Sequence, residues 1–137
     1  MFQPKPYILL IDDDEDDLEL LSGSLELSGL CIKVFNAGDK AITYLNSKSQ
    51  ARPSLIILDY NMPRINGEQV LRLLKSNEYT KNIPVIMYST AISPIFKQAV
   101  LNLGAHACYT KPFSYSEFKT QVSLFKSLAF SSHLLNS

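Results

Sequence analysis

The chain has 137 residues, 46% of them apolar and 19% charged, with 13 basic and 13 acidic side chains that cancel to zero net charge. That length suits one domain with a core of ordinary size, and the composition is globular rather than disordered. The neutral balance argues against a nucleic-acid binder, and the longest apolar runs, such as Tyr7 to Ile11 and Leu55 to Leu58, are too short to span a membrane. The first apolar stretch ends after five residues and runs straight into acids, which is not the pattern of a secretory signal. Cys31 and Cys108 lie within apolar segments, the usual setting of reduced intracellular thiols. A soluble, cytoplasmic single domain is expected.

Short apolar runs alternate with helical patterns along the chain. Tyr7 to Ile11 reads as a strand, followed by a helix from about Glu15 to Leu27, in which Leu18, Leu21 and Leu25 recur at helical spacing before Gly29 stops it. Cys31 to Phe35 is the second strand and Lys40 to Ser47 the second helix. Pro53 precedes Leu55 to Leu58, a wholly apolar strand of the kind buried on both faces. After a loop with Pro63 and Gly67, Val70, Leu71, Leu73 and Leu74 mark a third helix. Pro84 opens strand four, Val85 to Tyr88, and Ser93-Pro94 form the N-cap and first position of a helix running to about Leu103. Strand five is Ala107 to Thr110, and a last helix runs from about Ser116 to Leu128, capped by Ser114 and Ser116. Residues 130–137 read as a frayed tail.

Five strand–helix alternations predict a parallel sheet with right-handed crossovers and helices on both faces. Ligands of such sheets bind beyond the carboxyl ends of the strands. Those ends carry Asp12-Asp13, Asp59, Ser89-Thr90 and Lys111. Seven of the 13 acids fall between positions 12 and 19. Asp14 to Asp17 suit a helix N-cap and first turn, where free N–H groups and the macrodipole attract negative charge, but Asp12 and Asp13 precede the helix. Two unit charges about 4 Å apart repel by roughly 4 kcal/mol at an effective dielectric near 20. Three close carboxylates would thus cost an amount comparable with a whole domain's stability of about 5–15 kcal/mol. Either one protonates or a cation neutralises them. Lys111 can offset one charge, and Mg²⁺, a hard ion taking oxygen ligands, suits the remainder.

These segments resemble the receiver domains of two-component response regulators. Ile8-Leu9-Leu10-Ile11-Asp12-Asp13-Asp14 is similar to their first strand and acidic pair, and Leu58-Asp59-Tyr60-Asn61-Met62-Pro63 with Gly67 to their phospho-acceptor strand and loop. Pro84 to Ser89 resembles the strand that ends in the switch hydroxyl, and Lys111-Pro112-Phe113 the lysine–proline turn, which in this family contains a cis peptide bond. The resemblance covers roughly residues 6 to 128. It implies a flavodoxin-like (βα)5 fold, a doubly wound five-stranded parallel sheet of order 2-1-3-4-5, with a core of about 6–129. In that order Cys31 and Cys108 lie on opposite edge strands, too far apart for a disulfide.

The resemblance also implies roles. Asp59 would accept a phosphoryl group. Asp13 would ligate Mg²⁺ directly, Asp12 would hold the ion through water, and Asp59 and the Asn61 backbone carbonyl would complete the protein ligands. Ser89 would hydrogen-bond the phosphoryl group, and Lys111 would pair first with Asp59 and then with a phosphoryl oxygen. The donor would be a sensor histidine kinase or phosphotransfer protein. The downstream partner is an unknown protein, met through helix four, strand five and helix five, with no output domain, no nucleic acid and no membrane involved. Such a domain catalyses its own phosphorylation and slow dephosphorylation and is not a conventional turnover enzyme.

Three positions modulate this picture. The family's aromatic three residues before the strand-five lysine is Cys108 here, and the ring is Tyr109, one step later and so on the opposite face of the strand. Tyr109 reads as a packed aromatic rather than a switch. Thr90 stands where a very small residue is common and would crowd an attacking water. His106 reads as a loop residue, and His133 lies in the tail without an acid beside it. Two other functions use the same residues: a Mg²⁺-dependent phosphatase with a strand-one aspartate as nucleophile, and a binding module that signals without phosphorylation. A flavin binder is disfavoured, because acids in the first loop repel phosphate.

Overall fold

The computed structural model describes residues 6–47 and 51–135. Strands β1 (Tyr7–Ile11), β2 (Cys31–Phe35), β3 (Leu55–Asp59), β4 (Val85–Ser89) and β5 (Ala107–Thr110) alternate with helices α1 (Glu15–Glu26), α2 (Gly38–Leu45), α3 (Gly67–Ser76), α4 (Pro94–Asn102) and α5 (Tyr115–Leu135). The strands form one parallel sheet in the order β2-β1-β3-β4-β5, the flavodoxin-like arrangement expected.

Side-chain alternation divides the core in two. Leu9, Ile11, Ile56, Leu58, Val85, Met87 and Cys108 face one way and bury residues of α2, α3 and α4, among them Ala41, Val70, Leu71 and Val100. Ile8, Leu10, Leu55, Ile57, Ile86 and Tyr88 face the other way and bury Leu21 and Leu25 of α1 with Phe118, Phe125 and Ala129 of α5. The central strands β1, β3 and β4 are buried along their whole length, which explains their unbroken apolar sequences.

Local chemistry sets the helix starts. Asp14 caps α1, its carboxylate accepting from the Asp16 and Asp17 N–H groups at 3.0 and 3.1 Å. Asn66 and Gln69 form a reciprocal capping box on α3, and Ser93 caps α4 with Pro94 in its first turn. Ser114 alone caps α5, accepting from the Glu117 N–H at 3.1 Å. Ser116, expected to share that task, lies inside the helix, where its carbonyl accepts from the Thr120 hydroxyl. α2 occupies Gly38–Leu45, two residues earlier than expected, because extended Ala37 starts it without a side-chain cap.

One further expectation changes. Residues 130–135 are not a frayed tail but the last turns of α5. Phe118, Val122, Phe125, Ala129 and Ser132 repeat at helical spacing, and Ala129 and Ser132 are buried, so packing extends the helix past Leu128. His133 therefore sits on α5. No peptide bond among the described residues is cis, so Lys111-Pro112, which the sequence leaves open between cis and trans, forms a trans turn.

Candidate functional site

Parallel strands in register bring the carboxyl ends of β1, β3, β4 and β5 to one rim. Asp59 is the last residue of β3 and pairs across the sheet with Tyr88, so Ser89 ends β4 beside it. The Asp12 N–H donates to the Phe35 carbonyl at 3.1 Å and the Lys111 N–H to the Ser89 carbonyl at 2.8 Å. These two bonds carry the sheet pattern one residue past β1 and β5 and fix the backbone of both charged residues.

The side chains converge as the sequence suggests. One oxygen from each of Asp12, Asp13 and Asp59 lies within 4.8 Å of the others. Asp12 and Asp59 are buried, whereas Asp13 is exposed. The Lys111 ammonium donates to Asp12 Oδ2 at 2.8 Å and stands 3.5 Å from Asp59 Oδ1. The closer partner is thus Asp12, not Asp59 as expected. The other Asp12 oxygen accepts from the Asp14 N–H at 3.0 Å.

Asp17 also belongs to this cluster, its Oδ2 lying 2.8 Å from the Lys111 ammonium. Sequence reasoning assigned it to helix capping, which its backbone N–H does serve. Its side chain projects instead toward a cation 94 residues away, and no local pattern reveals that pairing. Tyr88 was overlooked as well. Its ring lies 6.0 Å from the Lys111 ammonium and its hydroxyl donates to Gln121 Oε1 at 2.7 Å, tying the rim to α5.

Burial and like charge set the protonation of the rim. Asp59 is pushed up to about 7, first by burial and then by the charges of Asp12 and Asp13, against the lowering pull of Lys111. Burial also raises Asp12, outweighing its bonds from Lys111 and the Asp14 N–H. Lys111 moves upward, because its bonds to Asp12 and Asp17 overcome a burial effect of opposite sign, so it stays charged. One ammonium faces several carboxylates, and the deficit of positive charge is what a divalent ion would supply. The donor set fits Mg²⁺: all oxygen, two groups buried and one open to solvent, with a span near the roughly 4 Å across an octahedron with bonds of about 2.0–2.1 Å.

The remaining positions fall as follows. Ser89 is buried and its hydroxyl donates to the Ala91 carbonyl at 3.2 Å. Thr90 and Asn61 are exposed at the same rim. Cys108 is buried on the α4 side of the sheet, while Tyr109 turns to the other face and meets Phe125 with ring centroids 6.0 Å apart. The one-residue shift thus takes the ring away from α4, as alternation predicts. On the α4 side the aromatic contact beside the site is between Tyr60, next to Asp59, and Phe96 of α4, edge to face at 4.6 Å. Cys31, on the opposite edge strand, is a free thiol, as is Cys108.

A five-stranded parallel α/β sheet with an acidic triad and a lysine at its carboxyl rim is the architecture of a receiver domain. The chain belongs to the response regulator receiver domain family, whose pattern matches residues 8–123. Phosphorylation and Mg²⁺ binding at an acidic pocket are general features of that family, which takes part in two-component signalling with histidine kinases or phosphotransfer proteins. Among curated relatives, the transcriptional regulatory protein CpxR homolog of Haemophilus influenzae is 35% identical over 115 residues, 84% of this chain and 48% of that protein. The two-component response regulator ORR11 of Oryza sativa is 30% identical over 112 residues, covering 82% of this chain and 75% of the relative. The chain spans about half the length of most of the curated relatives it matches. Among solved structures, the phosphorylated cyanobacterial phytochrome response regulator RcpA superposes with a TM-score of 0.84 at 27% identity, covering 94% of this chain and 96% of that one. The Mn²⁺-bound form of response regulator Rcp1 gives 0.77 at 28% identity, covering 90% and 93%. Among the described residues, no helix is long and apolar enough to cross a membrane.

Proposed function

We propose that Asp59 is the phospho-acceptor of this receiver, and that Asp12, Asp13, Asp59 and the Asn61 carbonyl are its Mg²⁺ ligands, Asp12 acting through water. The convergence of three carboxylates and Lys111 carries this reading. Asp59 is the better nucleophile of the two buried acids, because both oxygens of Asp12 are engaged, one by Lys111 and one by the Asp14 N–H. The same feature argues against a phosphatase that would use a strand-one aspartate.

The donor is a phosphohistidine of a sensor kinase or phosphotransfer protein. An oxygen of Asp59 attacks phosphorus, and an O–P bond forms as the N–P bond breaks. The imidazole nitrogen leaves with the electron pair and takes up a proton. Charge on the transferred group spreads over its equatorial oxygens, so catalysis is chiefly positioning and electrostatic stabilisation. Bound Mg²⁺ would supply the charge that neutralises both the carboxylates and the phosphoryl oxygens. Lys111 pairs with one phosphoryl oxygen, and Ser89 gives up its Ala91 partner to donate to another. That exchange moves the loop between β4 and α4, a local event that a protein partner can read. Ile95, Phe113 and Tyr115, all strongly exposed on the α4, β5 and α5 side, supply an apolar surface for a downstream protein. With a sensor kinase or phosphotransfer protein as donor, the compartment that fits this reading is the cytoplasm.

Intact mass after incubation with acetyl phosphate and Mg²⁺ tests the assignment. Wild type gains one phosphoryl group and Asp59→Asn gains none. Phosphate release that depends on Asp12 would establish a phosphatase instead, and an unmodified wild type would leave a binding module.

A further inference from the structure

Lys111 divides its ammonium unequally. It has three N–H donors. Two reach Asp12 and Asp17 at 2.8 Å, whereas Asp59 stands 3.5 Å away, beyond an ordinary N–H···O bond of roughly 2.9–3.0 Å. Asp17 is well placed to hold this arrangement. Its backbone is pinned by the α1 cap, because its N–H donates to Asp14 Oδ1, and its carboxylate is left free to point at the cation.

We propose that Asp17 is a positioning residue for Lys111: it holds the ammonium off Asp59 in the resting protein and releases it when a phosphoryl group arrives. The inference rests on Asp59 being the phospho-acceptor. A phosphoryl group brings new acceptor oxygens and negative charge to Asp59, and for the ammonium to move toward one, one of the two 2.8 Å contacts that fix its position must lengthen. Asp12 is the poorer candidate. Its side chain is 9% exposed, and losing its cation would leave a buried charge uncompensated. The Asp17 side chain is 40% exposed, so water can replace the ammonium at small cost. The bond to α1 therefore breaks first, and the attachment of Lys111 passes from α1 to the phosphorylated strand end.

Asp17 is thus a brake on phosphorylation. Without its charge, Lys111 remains held by Asp12 alone, with two donors free, and Asp59 stands 3.5 Å away as an acceptor. The incoming anion also meets one carboxylate fewer. With acetyl phosphate at saturating Mg²⁺, Asp17→Asn should raise the rate constant for phosphorylation about two- to fivefold, the size of a half-exposed ion pair. A merely structural loss would slow the reaction instead. Asp16→Asn removes the same charge one residue earlier, from an exposed side chain outside the cluster, and should leave the rate unchanged. A crystal structure of the Asp17→Asn variant should show the Lys111 ammonium within hydrogen-bond distance of Asp59. If wild type is phosphorylated but Asp17→Asn reacts no faster than Asp16→Asn, or Lys111 has not moved, the inference fails while the acceptor assignment stands. If wild type gains no phosphoryl group, the acceptor assignment fails and the inference falls with it.

Discussion

A β-carbon added to Gly67 would stand 2.6 Å from the carbonyl oxygen of Asp59 and 2.7 Å from the Tyr60 α-carbon. The start of α3 is seated directly against the strand end that bears the acceptor, and the Gly67 N–H donates to the Tyr60 carbonyl at 2.9 Å. Backbone cannot swing aside as a flexible side chain can. Gly67→Ala should therefore cost about 1–3 kcal/mol in urea unfolding, the range for overpacking. It should also slow phosphorylation by acetyl phosphate, because the displaced backbone carries Asp59.

The raised Asp59 carboxyl makes stability depend on pH. The folded group holds its proton to about pH 7, whereas an unfolded aspartate releases it near pH 3.9. Between those limits the folded state binds more protons, so this group's contribution lowers stability as pH rises and levels off above about 7. In metal-free buffer, Asp59→Asn should gain on wild type through that window. Above pH 7 the gain should be on the order of 1–3 kcal/mol, read as the difference between their melting curves from pH 4 to 8.

Mg²⁺ should reverse that penalty. At tenfold the dissociation constant it adds about 1.4 kcal/mol to folding stability by mass action. The thermal shift should be larger at pH 8 than at pH 6, because protons compete for the same carboxylates. Asp13→Asn should lose most of it. Differential scanning fluorimetry with Mg²⁺ against EDTA decides the matter.

Thr90 is exposed beside Ser89, and its bulk would crowd a water attacking an acyl phosphate at Asp59. Thr90→Ala should hasten dephosphorylation several-fold, measured as decay of the phosphorylated mass after acetyl phosphate is removed. An unchanged lifetime would discard the steric account.

The long α5 gives a further check. Truncation after Leu128 removes the wholly buried Ala129 and the nearly buried Ser132. Loss of that apolar contact, at about 25 cal/mol per Å², should lower stability by roughly 1–2 kcal/mol in urea unfolding and leave phosphorylation of Asp59 intact.

Much of this was written in the linear chain. Unbroken apolar runs ending in Asp12, Asp59 and Ser89 marked central strands, and parallel connectivity then obliged those ends to share a rim. The face taken by Tyr109 was legible too, since alternation along a strand admits only two directions and a single-residue shift selects the other. The end of α5 was not legible, because Ala129 and Ser132 are indifferent to helix or tail until a packed surface covers them. Nor was the role of Asp17. An acid in a first helical turn already has a local purpose, and a contact across 94 residues leaves no periodic trace. Local propensity and hydrophobic period thus settled which strand ends meet at the rim. Only tertiary packing settled which oxygen lies at 2.8 Å and which at 3.5 Å, because that depends on how α1 and the turn after β5 seat against the sheet.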